Sequence, residues 1–219
     1  MSISDHHPRH GSARLSADAM VDLVETVIAG DLPPIVTAGH PVLRTPAQEF
    51  DGQLDDDLLG RLIACMRSVM HAAPGVGLAG PQIAVPLRIA VLEDQGAGDD
   101  AVAAARSRRP LPFTALVNPS YRASGDAMAA FYEGCLSVPG YQAVVERHHA
   151  VEATYTQPDG VSATRIFEGW PARIVQHETD HLNGRLYLDR ALLRSLSADR
   201  EHGRWAQPTV EEARRGLGF

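Results

Sequence analysis

The stretch Arg173 to Gly184 reads RIVQHETDHLNG and constrains the chain more than any other. Trp170-Pro171 can open a helix there, because proline is tolerated in the first turn, and Asn183-Gly184 can close it, giving a helix of about thirteen residues. On it Ile174, His177, Glu178 and His181 fall at relative positions 0, 3, 4 and 7, on one face. Gln176, Asp180 and Asn183 share the opposite face, and Val175 and Leu182 flank the first. Two imidazoles and a carboxylate thus point where a helix normally buries apolar groups, a position that unpartnered polar groups cannot sustain. A divalent cation removes the conflict. Imidazoles four residues apart can both donate to one ion, and Glu178 can face the remaining coordination position as general base.

A catalytic centre of this kind takes three protein ligands and keeps one position open. Downstream the chain continues LNGRLYLDRA, without the histidine of the HExxHxxGxxH pattern. Glu201 and His202 are ligand candidates on that side, and with either of them the site would be that of a zinc endopeptidase. The upstream candidate is Cys135 in EGCLSVPG, where polar Glu133 and Ser137 and the permissive Gly134 suit a thiolate ligand in a tight turn. The residues alone leave both choices open.

The rest of the chain limits the class of protein. A net charge of −7 speaks against a broad nucleic-acid-binding face, so no DNA partner is expected. All 20 basic residues are arginine, a feature more readily read as coding bias than as chemistry. No apolar run approaches the roughly 20 residues that span a bilayer, and the first residues have no apolar signal core. The expectation is a bacterial cytoplasmic protein without a membrane partner. Two cysteines are too few for a disulfide framework.

Residues 1–15 read as a flexible polar tail. Ser16 caps a helix bearing Met20, Leu23, Val24, Val27 and Ile28, which Gly30 ends. A proline-interrupted stretch follows. Asp51 to Asp57 then open a second helix with the stripe Leu58, Leu59, Leu62, Ile63, Met66, Val69 and Met70, where Cys65 is read as a small buried hydrophobe. GVGLAGPQ reads as a glycine-rich loop, LRIAVLE and ALVNPSY as strands, and Gly96 to Pro112 as a surface insertion. AVVERHHAVEATYT, QPDG and VSATRIFEG form two extended runs around a turn, an antiparallel hairpin. The expected fold is α+β: short antiparallel strands around a central metal-binding helix, with N-terminal helices. The catalytic domain is expected over residues 16–190, with a C-terminal extension, 191–219, packed on it.

Three segments, GVGLAGPQ at Gly75 to Gln82, EGCLS at Glu133 to Ser137 and QHETDHLNG at Gln176 to Gly184, together resemble the peptide deformylase family in order and spacing. The resemblance covers about residues 31–190. It implies a hydrolase that removes the N-formyl group from the initiating methionine of nascent polypeptides and releases formate, with the ribosome as a transient partner. It implies one divalent ion per chain, Fe2+ in the cell with Zn2+, Ni2+ or Co2+ able to substitute, held by Cys135, His177 and His181. It further implies that Glu178 takes the proton of the attacking water, and that Gln82 and the backbone N–H of Leu136 stabilise the oxyanion.

By motif position, the backbone at Gly75, Val76 and Gly77 would pair with the substrate as an added strand. Val76, Leu136, Ile174 and Phe131 would line the methionine pocket. Glu133 is read as a buried group behind the ligands. The chain departs from the commonest pattern in two places: Gly80 stands where alanine is frequent, and Gln142 stands where many relatives use an arginine to hold the substrate backbone. Arg147 is read as strand surface and Asp180 as solvent-facing or helix-supporting. Arginines 190, 194, 200 and 204 are read as a solvated face, with ribosomal phosphates as the alternative contact.

Overall fold

A computed structural model describes residues 14–96, 101–205 and 208–219. The expected tail lies outside the described residues as far as position 13, as do residues 97–100 of the expected insertion. In chain order the elements are α1 (Ala17–Ile28), α2 (Asp56–Ala72), β1 (Gly77–Ala79), β2 (Ile89–Asp94), α3 (Ala101–Ala105), β3 (Leu111–Ala123), β4 (Met128–Cys135), β5 (Val138–His148), β6 (Ala150–Thr156), β7 (Ser162–Glu168), α4 (Gly169–Leu182), β8 (Ser197–Ala198), α5 (Asp199–His202) and α6 (Glu211–Leu217). The fold is α+β. One antiparallel sheet has the order β1-β2-β3-β6-β7 and a smaller one β4-β5-β8.

The N-terminal helices follow their caps. Ser16 Oγ accepts from Ala19 N at 3.3 Å and Asp55 Oδ1 from Leu58 N at 2.8 Å, satisfying N–H groups that a helix start leaves unpaired. All seven members of the α2 stripe are buried, and with Met20 and Val24 of α1 they cover one face of the large sheet through Leu78, Ile89, Val91 and Val117. The alternate residues Leu92 and Leu116 point to the other face and pack on Ala172, Ile174 and Val175 of α4. On the far side of α4 lies β5 of the small sheet. Gln176 fastens the two, accepting from His148 N at 3.2 Å and donating to His148 O at 2.8 Å. The layers therefore run α1–α2, large sheet, α4, small sheet.

A helix enclosed between two sheets has no wet face, and this corrects two expectations. Asp180 and Arg147 are both buried, each 2 % exposed. Arg147 grips Glu133 with two bonds of 2.6 and 2.9 Å and Asp180 with one of 2.8 Å. Arg173 also bonds Glu133, at 2.5 Å, and Arg190 holds Asp180 at 2.8 and 3.1 Å. Two carboxylates and three guanidiniums form one chain of charge-assisted hydrogen bonds linking α4 to β4, β5 and the segment after α4. The helix stops at Gly184, whose φ of +71° suits glycine and whose missing Cβ leaves room for the Arg44 carbonyl, 2.8 Å from where a Cβ would sit.

Three further expectations change. GVGLAGPQ is not a plain loop, since Gly77–Ala79 pair with β2 as an edge strand before a tight turn over Gly80–Ile83. AVVERHHAVEATYT is not one run. It breaks at His149, the first half pairing with β4 and the second with β3 and β7, while the Pro-Asp-Gly hairpin between β6 and β7 is present as expected. Cys65 is half-buried and packs at the margin of the core. From Ala191 onward the chain lies on the small sheet: Leu192 N bonds Val144 O at 2.9 Å, β8 pairs with β5, and Val210 and Ala213 pack on Tyr132 and Val144.

Replacing Arg147 by methionine leaves Glu133 and Asp180 buried with too little compensating charge, which costs about 3–5 kcal/mol. Urea unfolding of Arg147→Met is expected to show a midpoint lowered accordingly; an unchanged midpoint would contradict the role given to this network.

Candidate active site

The site assembles where β1, the end of β4 and α4 converge on a cavity of about 510 Å³. Cys135 ends β4, and a register shift after Gly134 turns its side chain toward the helix. Its Sγ lies 3.2 Å from His181 Nε2. One ligand atom each from Cys135, His177 and His181 lies within 4.8 Å of the others, the group among the described residues that fits a metal ion. The ring of His177 meets that of His181 edge-on at 5.0 Å between centroids and stacks on Tyr187 at 6.3 Å.

Glu133 sets the state of His177. Its Oε2 lies 3.0 Å from His177 Nδ1, and because Arg147 and Arg173 keep Glu133 ionised the carboxylate can only accept. Burial alone would raise the Glu133 pKa, but the Arg147 guanidinium, helped by bonds from His177 and Arg147, holds it well below the carboxylate range. Nδ1 of His177 is therefore the N–H, and Nε2 is left for a ligand bond. Burial pulls the His177 pKa down, yet hydrogen bonds to Cys135 and Glu133 outweigh it and push the group well above its usual range. The anionic surroundings that would hold a proton there equally favour a cation. His181 is pushed the opposite way, first by burial and then by the positive charges of His177 and Arg147, which keeps it neutral as a ligand must be.

Glu178 stands apart from this network. It is 4 % exposed, lines the cavity, and its Oε2 is buried without a hydrogen-bond partner among the described residues. Burial lifts its pKa to about 7. Gly77 makes this possible, because a Cβ on that residue would collide with the Glu178 carboxylate. A half-buried thiol, two imidazoles and an unsatisfied carboxylate oxygen are a donor set suited to a divalent cation and a water beside it, so the residues present fit the expected metal.

Gln82 is 2 % exposed and held at both ends of its amide. Oε1 accepts from Ala79 N at 2.8 Å, which fixes Nε2 as the end pointing to Ser137 Oγ at 3.3 Å and Cys135 Sγ at 3.8 Å. Gly75, Val76, Gly77, Glu133, Leu136 and Ile174 all line the cavity. Phe131 does not. Its ring packs edge-on against Trp170 at 6.3 Å, and it is Trp170 that reaches the cavity wall. Trp170, Arg173, Arg106 and Tyr141 are lining residues that sequence reasoning passed over, and Gln142 is present on the same wall. The α4 spacing from Trp170 to Ile174 to His177 carries the signal for one of them, Trp170. Neither Glu201 nor His202 joins the ligand group: Glu201 pairs with Arg204 and His202 packs on Tyr132 at 4.8 Å.

Residues 32–196 match the family model described as polypeptide deformylase. Peptide deformylase 3 of Streptomyces avermitilis is 55 % identical over 208 residues, spanning 94 % of this chain and 93 % of that protein. Peptide deformylase 1 of Streptomyces coelicolor is 53 % identical over 202 residues, 91 % of this chain and 93 % of that protein. Among solved structures, the class I type b peptide deformylase of Acinetobacter baumannii bound to Met-Ala-Ser aligns with a TM-score of 0.66 at 31 % identity, covering 73 % of this chain and 98 % of that one. The Synechococcus elongatus enzyme in complex with actinonin gives 0.63 at 32 % identity, covering 87 % and 88 %. The endopeptidase alternative finds no support in any of these matches. Sequence over most of the length, the fold that carries it and the Cys-His-His cluster under the cavity agree, and the chain belongs to the peptide deformylase family.

Proposed function

We propose that this enzyme hydrolyses the formyl amide of N-formylmethionyl polypeptides as they emerge in the bacterial cytoplasm, releasing formate. The observation that carries the reading is the unpaired, buried Glu178 oxygen facing the cavity beside the Cys135, His177 and His181 cluster. These three residues would hold one divalent ion, with Fe2+ favoured and Zn2+, Ni2+ or Co2+ as substitutes. A bound cation of this kind acidifies an attacking water and polarises a carbonyl.

The chain's own residues do the rest. Glu178, raised to about 7, is matched to accepting a proton from water near neutral pH. As the formyl carbon becomes tetrahedral its oxygen gains charge, and the Nε2–H of Gln82 together with the backbone N–H of Leu136 are the donors proposed to meet it. Both are neutral, which suits an oxyanion formed close to a cation. Glu178 then returns the proton to the amine nitrogen, the C–N bond breaks, and the peptide leaves with a free amino group while the added oxygen departs in formate. Val76, Leu136 and Ile174 offer apolar surface for the methionine side chain, and Gly75 to Gly77 offer backbone for an added strand.

Glu178→Gln is expected to keep about one metal per chain while formate release from formyl-Met-Ala-Ser falls at least 100-fold. Cys135→Ala is expected to lose the metal as well. Metal analysis beside the assay separates the two, and metal lost from Glu178→Gln would remove the division of labour. Anaerobically purified enzyme is expected to contain iron and to lose activity in air as the thiolate site oxidises; air-stable activity with zinc alone would overturn the choice of iron.

The ribosome is the expected transient partner. Arg190 is held by the buried Asp180, whereas Arg194, Arg200 and Arg204 are exposed, the last two beside the solvated Glu201, and these three are the candidate phosphate contacts. Changing these three to glutamine is expected to weaken ribosome co-sedimentation at low salt. Unchanged co-sedimentation would remove this surface from the proposal.

A further inference from the structure

The C-terminal segment supplies a charged group to the cavity that the active-site chemistry leaves unused. Residues 197–199 lie past the end of the family match at residue 196. They are strapped to β5 by paired backbones, Tyr141 against Ala198 and Gln142 against Ser197, and by Ser195, which is fully buried and accepts from Val144 N at 2.7 Å. Asp199 follows directly, exposed but on the cavity lining, and its Oδ1 accepts from Gln142 Nε2 at 3.3 Å.

The three carboxylates lining the cavity differ in their commitments. Glu133 is enclosed by Arg147, Arg173 and His177, and Glu178 sits at the reacting centre. Asp199 enters no ion pair among the described residues, and the nearby Arg200 and Arg204 both turn to Glu201. The lining arginine Arg173 is committed to Glu133, and Arg106 lies over the Trp170 ring at 4.9 Å. Asp199 therefore presents a negative charge to whatever leaves the cavity along the wall formed by Tyr141 and Gln142. An extended peptide advances about 3.3 Å per residue, and one that leaves the Cys-His-His cluster along this wall would carry its second or third residue past Asp199.

We infer that Asp199, placed by the β5–β8 pairing and steadied by Gln142, is a specificity-determining residue that favours formylated peptides with a basic side chain at the second or third position. This rests on the deformylase reading. The attraction is that of a half-solvated charge pair, which corresponds to a few-fold effect on kcat/KM and weakens with salt.

The test measures kcat/KM of the metal-loaded enzyme on formyl-Met-Lys-Ser and formyl-Met-Ala-Lys, their glutamate counterparts, and formyl-Met-Ala-Ser. Wild type is expected to prefer lysine over glutamate about 3- to 5-fold at one or both positions in low salt. Asp199→Asn should bring that ratio close to unity, Asp199→Lys should invert it, and about 0.5 M salt should flatten it in wild type. A flat wild-type ratio, or a preference that survives both substitutions, overturns the inference while leaving the deformylase reading standing. Failure of wild type to release formate from any of the five peptides would instead defeat that reading, and the inference with it.

Discussion

The arrangement of this protein depends on one buried ion pair, Arg147 with Glu133. Taking both groups out of water is costly, and two parallel hydrogen bonds together with the further partners Asp180, Arg173 and His177 offset the cost by leaving no charge unpaired. The geometry is demanding because the partners come from β4, β5 and α4, so the pair forms only when the small sheet and the helix are in register. The same carboxylate then orients His177 through its Nδ1. Fold and ligand geometry are settled by one set of bonds.

Much of the site was legible in the sequence because its local part is helical. Four residues of spacing put His177 and His181 side by side, and no tertiary information is needed to see it. Cys135 and Gln82 could be brought to the same centre only through the resemblance of separated motifs, since periodicity says nothing about which loops converge. The helices α1 and α2 and the β6–β7 hairpin were equally legible, each having a cap or turn signal coincident with the correct hydrophobic period.

What escaped did so for a common reason. A helix covered on both sides shows no simple polar face, and Asp180, opposite the histidines, reads as solvent-facing or helix-supporting because pattern reasoning assumes one wet side. Arg147 stands in the polar run Glu146 to His149 and so reads as surface, yet it is in phase with the buried Ala143 and Val145 and points inward to its carboxylates. Both misreadings concern charged residues that pair with each other across 33 positions. Burial of such groups is decided by complementarity between distant segments, which single-residue propensity cannot register. Phe131 illustrates the converse: it has the composition of a pocket residue, but Trp170 stands between it and the cavity.

Gly77 and Glu178 show how a fold raises the pKa of a carboxylate. They are 101 positions apart, and the edge strand carrying the glycine lies so close to α4 that any side chain there would displace the carboxylate. Pressed against bare backbone, Glu178 loses water without gaining a guanidinium, and its affinity for a proton rises toward neutrality. Glu133, on β4 of the small sheet, loses water as completely but acquires Arg147 and Arg173, and stays ionised. Two buried carboxylates 45 positions apart in sequence and adjacent to the same histidine are thus driven in opposite directions by their neighbours. In the proposed reaction that divergence suits one carboxylate to orienting His177 and the other to exchanging a proton.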